Sequence, residues 1–176
     1  MILGRPRDAT MDTIHRAEPG FQRGEITEDR FLESIIKELD SETPVENLRG
    51  VWGMVYARET RRIDGTLEIA NRLRKSGYIT GVISNTENLH VEEMRKMGLL
   101  EGFSSVVLSC EVGLRKPDKG IFKIALEMLG MPAKRVVYTD DNEKKLEGAR
   151  RLGIESYVFD NAQGLEKWLK GRGLVF

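Results

Sequence analysis

Three polar stretches of the sequence each follow an apolar segment, and together they supply a hydroxyl, an ammonium group and two carboxylates. Ser84, with Asn85 beside it, follows the first segment, Lys116 follows the second, and Asp140 and Asp141 follow the third. A hydroxyl and backbone N–H groups at a helix N-terminus can hold a phosphoryl oxygen. Adjacent carboxylates are costly unless a cation or hydrogen-bond donors compensate them, and Mg2+ takes one or two carboxylates together with water and phosphate oxygens. The three stretches therefore predict a phosphate and magnesium site.

Each stretch also has a simpler interpretation. Ser84 lies in a Ser-Asn-Thr sequence that would make an ordinary helix-capping turn, and a lysine in a loop is usually solvated. Lys116 precedes Pro117, which fits the first position of a helix. A cation at a helix N-terminus is unfavourable unless an anion lies nearby. Asp141 or Asn142 could cap the next helix, which would leave the neighbouring carboxylate to face an ion.

Composition limits the functional classes. At 176 residues with 40% hydrophobic residues, the chain is long enough for one core domain and a small second one. A formal net charge of zero gives no electrostatic reason to bind nucleic acid or an acidic membrane. The single cysteine, Cys110, cannot form an internal disulfide, and the N-terminus is too short and charged for a signal peptide. No apolar run has membrane-spanning length, so the sequence predicts a cytoplasmic protein.

The first part of the chain, residues 1–61, shows helical spacing only. We expect a helix from Pro6 to about Ala17 and a second from Thr27, with an apolar stripe through Phe31. A third should start at Thr43-Pro44, and its inward residues are predicted to be Leu48, Val51, Trp52 and Val55. These stripes predict a small helical domain over residues 1–61.

From Asp64 onward, helices alternate with strands, and Asp64 itself is predicted to cap the first of these helices. Helices are predicted at 64–77, 87–97, 117–129, 143–152 and 162–170, and strands at 78–83, 105–108, 135–139 and 154–159. This alternation is typical of an α/β domain with a Rossmann-like parallel sheet, here residues 62–176. Ligands of such sheets bind outside the carboxyl ends of the strands, where all three polar stretches lie.

The polar stretches, with the residues around them, resemble the haloacid dehalogenase (HAD) superfamily. Leu73–Tyr78 leading to Ile83–Thr86 is similar to its second motif, Ser109–Phe122 to its third and Tyr138–Ile154 to its fourth. The resemblance covers nearly the whole chain, and it is greatest to phosphatases with a small helical cap, such as sugar-phosphate phosphatases and the N-terminal phosphatase domain of epoxide hydrolases. It implies that residues 1–61 form the cap on a HAD-like core.

The resemblance also implies a reaction. In this family an aspartate at the end of the first strand attacks phosphorus, water hydrolyses the phosphoaspartyl enzyme, and an aspartate two residues later transfers protons. By the same resemblance Ser84, Asn85 and Lys116 would bind phosphate, Asp140 and Asp141 would bind Mg2+, and the substrate would be a small phosphorylated metabolite. It does not identify the metabolite.

The sequence departs from the family at its front, because it contains no Asp-x-Asp pair. The strand bearing that pair should precede the cap and lie between the strands ending at Ser84 and Asp140, so we expect this chain to have no catalytic nucleophile. The flanking strands could close together, the terminal run 173–176 could enter, or a second chain could contribute. Unpaired strand edges would also favour self-association.

Other residues that resemble catalytic groups have simpler explanations. Arg62–Leu67 is similar to the family's nucleophile motif, but the charged residues before it do not form a buried strand. Asp8 and Asp12 also lack a preceding strand. The remaining candidates are isolated and are interpreted as surface, cap or structural residues: His15, His90 and Cys110.

Three hypotheses follow. The chain is a magnesium-dependent phosphatase that has lost its first strand and is weakly active or inactive alone, a non-catalytic relative that binds a phosphate ligand or a protein, or half of a split enzyme completed by a separate segment. Coding sequence upstream of Met1 would distinguish the first hypothesis from the other two.

Overall fold

A computed structural model of the protein describes residues 7–60 and 62–176. Contacts between residues divide the chain into two units. The helical unit comprises Met1–Arg61, Asn85–Leu99 and Leu108–Gly113, and the strand-containing unit comprises Arg62–Ser84, Leu100–Val107 and Leu114–Phe176. No helix in the described part of the chain is both long and apolar enough to cross a bilayer.

Helices and short strands alternate after the first three helices. The helices are α1 (Arg7–Gln22), α2 (Glu28–Glu38), α3 (Val45–Glu59), α4 (Asp64–Lys75), α5 (Asn88–Lys96), α6 (Ser109–Val112), α7 (Lys119–Leu129), α8 (Glu143–Arg150) and α9 (Ala162–Gly171). The strands are β1 (Gly81–Ser84), β2 (Ser105–Leu108), β3 (Val137–Asp140) and β4 (Glu155–Val158), and a 3-10 turn (Ala133–Arg135) precedes β3.

The core of the helical unit is organised around α2. The hydroxyl oxygen of Thr27 accepts a hydrogen bond from the backbone N–H of Arg30 at 3.4 Å, which caps the helix where the sequence predicts its start. In the apolar stripe of α2, Phe31, Leu32 and Ile35 are fully buried and Ile36 is partly buried. Phe31 stacks on Phe21 of α1 with ring centroids 4.3 Å apart. Helical spacing therefore identified the buried face of α2 correctly.

Two expectations for the helical unit are wrong. Helix α1 continues through Pro19 to Gln22 rather than ending near Ala17, because Phe21 and Gln22, beyond the proline, are almost fully buried. The predicted start at Pro6 lies outside the described residues. On α3, Val51 and Val55 are 45% and 49% exposed. The helix instead turns Leu48 and Trp52 toward α2, where the Trp52 ring meets Phe31 edge-on at 5.2 Å.

Gly24 allows the turn after α1 to approach the α6 segment within the helical unit. Its φ is +67°, and a Cβ atom built there would lie 2.8 Å from the carbonyl oxygen of Cys110.

We expect Gly24→Ala to lower the free energy of unfolding by about 2 kcal/mol, because the left-handed backbone and the close contact are both unfavourable for alanine. Urea unfolding measures this change. A matched control is Gly50→Ala, because Gly50 lies in α3 with nothing within 4 Å of its Cβ position; it should gain up to about 1 kcal/mol. Equal effects of the two substitutions would contradict the prediction.

The strand-containing unit holds two strand pairs, β1 with β2 and β3 with β4. Strands β3 and β4 are parallel, in a register that runs from Val137 opposite Glu155 to Asp140 opposite Val158. Helices α4 and α9 form one apolar cluster through Ile69, Leu165 and Leu169. An α/β core with parallel strand pairing, as predicted, is confirmed, although every described strand is only four residues long.

In the described part of the chain, no strand joins β1 to β3, and these two strands do not pair with each other. The terminal run 173–176 does not fill this position. Leu174 and Phe176 pack against the α4–α9 cluster instead. The guanidinium group of Arg72 lies 5.0 Å from the centre of the Phe176 ring and donates a hydrogen bond to its carbonyl oxygen at 3.1 Å.

Three predicted helix starts are wrong by one or two residues, among them that of α5, which begins at Asn88 rather than at Glu87. Asp64 is the first residue of α4 rather than its cap, and its exposed carboxylate pairs with Arg62. Helix α7 begins at Lys119 rather than at Pro117, because the side chain of Asp118 accepts a hydrogen bond from the backbone N–H of Gly120 at 2.8 Å and so caps the helix. Lys116 therefore lies in the loop before α7 and not at the helix start.

Candidate functional site

Lys116 is buried in the strand-containing unit, with 7% of its surface exposed. Its Nζ atom donates hydrogen bonds to the backbone carbonyl of Ile83 at 2.7 Å, to the hydroxyl of Tyr138 at 2.9 Å and to Oδ2 of Asp140 at 2.7 Å. We call Lys116, Tyr138, Asp140 and the Ile83 carbonyl the lysine cluster. The lysine is thus the link between the end of β1 and the end of β3.

Asp140 is the anionic member of this cluster. Besides the bond from Lys116, its Oδ2 accepts a hydrogen bond from the Tyr138 hydroxyl at 2.9 Å, and its Oδ1 accepts one from the backbone N–H of Asn142 at 3.0 Å. The side chain of Asn142 caps α8 by accepting a bond from the N–H of Lys144, and Asp141 is exposed. Of the capping alternatives left open by the sequence, the structure therefore selects Asn142.

Burial and pairing act in opposite directions on the charges of the cluster. Burial lowers the pKa of Lys116, and the charge of Asp140 opposes this shift. Burial alone would raise the pKa of Asp140, but the charge of Lys116 and its hydrogen bond hold that pKa below its ordinary value. Burial and the neighbouring carboxylate raise the pKa of Tyr138, so its hydroxyl keeps its proton and donates a hydrogen bond to Asp140. Removing one member of a buried ion pair typically costs about 3–5 kcal/mol.

Close packing of α7 and α8 holds the lysine loop in place. A Cβ atom at Gly148 of α8 would lie 2.1 Å from the carbonyl oxygen of Pro117 and 2.8 Å from the Phe122 ring. Phe122 of α7 in turn meets the Tyr138 ring edge-on, with centroids 5.2 Å apart. The absence of a side chain at Gly148 therefore lets α8 approach the residue that follows Lys116.

Ser84 and Asn85 lie where β1 ends. Ser84 is half-buried and directly follows Ile83, whose carbonyl oxygen binds Lys116. Asn85 is also half-buried, but it belongs to the helical unit. The structure thus brings Lys116 and Asp140 into direct contact and places Ser84 next to that contact in the chain.

Sequence reasoning missed two residues that fix these groups. Tyr138 could have been found from the two-residue period of a strand, which puts its side chain on the same face as Asp140. Ser109, in the helical unit, accepts a hydrogen bond from the N–H of Thr86 at 2.9 Å and donates one to the carbonyl of Thr86 at 3.0 Å. Nothing in the spacing of the sequence indicates this pairing, which fixes the segment after Asn85.

The residues expected to bind Mg2+ have side chains of the type that this ion prefers. Asp140 and Asp141 supply two carboxylates, which is the usual protein share when water and phosphate oxygens complete the shell. Both oxygens of Asp140 already accept hydrogen bonds, whereas Asp141 is exposed. Among the described residues, no cluster of three or more His, Cys, Asp or Glu side chains could hold a metal ion by itself. The described side chains would therefore supply only part of the ligand shell of a metal at this position.

Other candidates from the sequence lie elsewhere. Burial and the charge of Glu111 raise the pKa of the Cys110 thiol, which is the opposite of nucleophile activation. In the helical unit, Nδ1 of His90 lies 2.7 Å from the buried carboxylate of Glu87. The remaining three are exposed on α1: Asp8, Asp12 and His15.

Comparison with known proteins gives a consistent family match. A family model described as haloacid dehalogenase-like hydrolase matches residues 21–159. The haloacid dehalogenase-like hydrolase domain-containing protein 3 of Danio rerio is 38% identical over 89 residues, which are 50% of this chain and 37% of that protein. The phosphoserine phosphatase of Thermus thermophilus is 33% identical over 89 residues, which are 49% of this chain and 36% of that protein. The matched segments span little more than a third of either relative.

Solved structures show the same fold. A HAD family enzyme from Bacteroides thetaiotaomicron, crystallised with magnesium and inorganic phosphate, superposes with a TM-score of 0.66 at 20% identity. The superposition covers 89% of this chain and 87% of that one. At this identity the likeness establishes the HAD-like, Rossmann-type fold.

Proposed function

Because the chain belongs to the haloacid dehalogenase-like hydrolases, we propose that it binds a small phosphorylated metabolite at the strand ends that carry Ser84, Lys116 and Asp140. The observation that carries the proposal is the burial of Lys116 at the carboxyl ends of β1 and β3, because a buried cation at that edge suits an anionic ligand. Ser84 would contribute its hydroxyl, and Asn85 would contribute from the next position in the chain.

Asp140 and Asp141 would hold Mg2+ in this proposal. The ion would neutralise part of the charge of the phosphate. Lys116 would contact a phosphate oxygen directly, and Tyr138 and the Ile83 carbonyl would keep its ammonium group at the strand ends. Similarity to phosphatases, among them the phosphoserine phosphatase of Thermus thermophilus, supports this class of ligand.

Hydrolysis by these 176 residues alone is proposed to be weak or absent, because they contain no Asp-x-Asp pair. Two alternative functions are each supported by one observation. The pairing of Lys116 with Asp140 gives the buried lysine an internal counter-ion, which favours a non-catalytic phosphate-binding relative. The lack of a strand joining β1 to β3 in the described residues favours completion by a separate segment.

Calorimetric titration tests the binding site. We expect inorganic phosphate, added in the presence of Mg2+, to bind the purified chain with weak affinity. Asp140→Asn and Asp141→Asn should reduce the magnesium dependence, and Lys116→Met should abolish phosphate binding because it removes the buried cation. Lys119→Met is the matched control, since Lys119 is an exposed lysine three residues further along the chain. Absence of phosphate binding by the parent, or equal loss in both lysine variants, would contradict the proposal.

A further inference from the structure

Helix α3 exposes apolar side chains on the side that points away from α2. Val51, Met54 and Val55 are 45%, 63% and 49% exposed, whereas Leu48 and Trp52 pack against the core of the helical unit. Residues three and four positions apart adjoin on a helix, so the three exposed side chains form one patch. Exposed apolar patches mark surfaces that bind other proteins. We call the outward residues of this helix the α3 face: Asn47, Gly50, Val51, Met54, Val55 and Arg58.

The spacing of the α3 face is typical of a helix that pairs with another helix. Asn47, Val51, Met54 and Arg58 follow one another after four, three and four residues, which is the repeat of roughly 3.5 residues found in helix–helix seams. In such a seam, a side chain of one helix enters a hole between four residues of the other. One hole of the α3 face is lined by Asn47, Gly50, Val51 and Met54. It is open, because nothing lies within 4 Å of the Cβ position of Gly50.

The charges of α3 favour a second copy of the same helix, in the antiparallel direction. Glu46 lies in the first turn and Arg58 in the last. Antiparallel pairing places the acidic end of one helix beside the basic end of the other, and it also opposes the two helix dipoles. Parallel pairing would place like charges together. Arg58 already interacts within its own chain, but a guanidinium group has several N–H donors and can bind a further acceptor.

We propose that two copies of this chain form a weak dimer through antiparallel α3 helices related by a two-fold axis. In this pairing, Met54 of each copy enters the hole at the partner's Gly50, and Val51 packs against the partner's Val55. Each contact occurs twice, because an interface about a two-fold axis is self-complementary. A helix of 15 residues supplies fewer than the roughly 20–30 residues per side of a standard interface. Association should therefore depend on protein concentration.

Sedimentation equilibrium at increasing protein concentration tests the dimer. The parent chain should pass from its monomer mass of 20.0 kDa towards twice that mass. Met54→Lys should weaken dimerisation by at least about tenfold, because it brings a charged group into an apolar contact. Met128→Lys is the matched control, since Met128 is 54% exposed on α7, in the other unit; it should dimerise as the parent does. A parent that stays monomeric, or equal association of all three proteins, overturns the inference.

Gly50→Leu gives a second test that adds no charge. In the single chain nothing surrounds the Cβ position of Gly50, and leucine is a better helix former than glycine, so the monomer should fold normally. In the dimer, the leucine fills the hole that the partner's Met54 enters. We therefore expect weaker dimerisation together with unchanged or higher stability to urea. Dimerisation at least as strong as that of the parent would overturn the proposed pairing.

Cross-linking tests the direction of the helices, in a Cys110→Ser background that has no other cysteine. In the antiparallel pair Asn47 lies level with the partner's Arg58, whereas the two copies of Asn47 are roughly 16 Å apart along the helix axis. A mixture of Asn47→Cys and Arg58→Cys proteins should therefore cross-link with a short bismaleimide, and neither protein should do so alone. Cross-linking of Asn47→Cys by itself would indicate parallel helices and would also overturn the inference.

Discussion

A chain extended ahead of Met1 by an apolar strand ending in Asp-x-Asp, with a short link into α1, is expected to hydrolyse an aryl phosphate in the presence of Mg2+. The parent chain should show little turnover, because Ser84, Lys116 and Asp140 are proposed only to bind phosphate and Mg2+, and the sequence contains no Asp-x-Asp pair. By family resemblance, the first added aspartate would attack phosphorus and the second would transfer the proton. Turnover above the parent by several orders of magnitude is the expected result, since covalent catalysis opens a new route.

The same extension should raise the unfolding midpoint. A strand between β1 and β3 would gain backbone hydrogen bonds on both sides and bury apolar side chains, each contributing roughly 1.5–3 kcal/mol. The matched control carries Asn-x-Asp in the same strand, which should keep the gain in stability and lose the turnover. A lower midpoint for the extended chain would show that the two strand pairs already close in another way. Robust turnover by the parent, abolished by Asp140→Asn, would show that a nucleophile exists elsewhere.

Gly148→Ala is expected to destabilise the strand-containing unit severely. The new methyl group would lie 2.1 Å from the carbonyl oxygen of Pro117, which is backbone and cannot turn aside, and 2.8 Å from the Phe122 ring. Inserting a methyl group into a packed interior typically costs about 1–3 kcal/mol, occasionally more, and this contact belongs at the upper end. For a chain of this size, a loss of about 3 kcal/mol would lower the unfolding midpoint by roughly 6–12 °C.

Gly148→Ala should also weaken phosphate binding. Relief of the contact requires Pro117 to move away from α8, and Lys116 precedes it directly in the chain. The matched control is Gly171→Ala at the end of α9, where nothing lies within 4 Å of the Cβ position; it should change neither the midpoint nor the affinity appreciably. Thermal unfolding and phosphate titration of both variants measure the two effects. A Gly148→Ala protein as stable as the Gly171→Ala protein would refute the proposed packing.

Local features of the sequence predicted most elements of the fold. The helical period in α2, the alternation of helices and strands after Asp64, and glycines such as Gly130 at helix ends depend on residues close together in the chain. For the same reason strand β2 was predicted with the bounds that it has in the structure. The predictions for the helix starts at Asp64 and Pro117 were wrong because several neighbouring residues can begin or cap a helix. Only the hydrogen bonds of the folded chain decide which of them does.

For the candidate site, too, some features could be predicted from local sequence and others could not. Residue types and order alone identified Ser84, Lys116 and the Asp140–Asp141 pair as candidates, because a strand end followed by a polar residue is a local pattern. That Lys116 pairs with Asp140, that Tyr138 binds both, and that Gly148 must lack a side chain were decided by the tertiary structure. The contacts of Lys116 with Tyr138 and Asp140, and that of Gly148 with Pro117, join residues 22 to 31 positions apart in the chain. Their energies depend on burial, which no local pattern specifies.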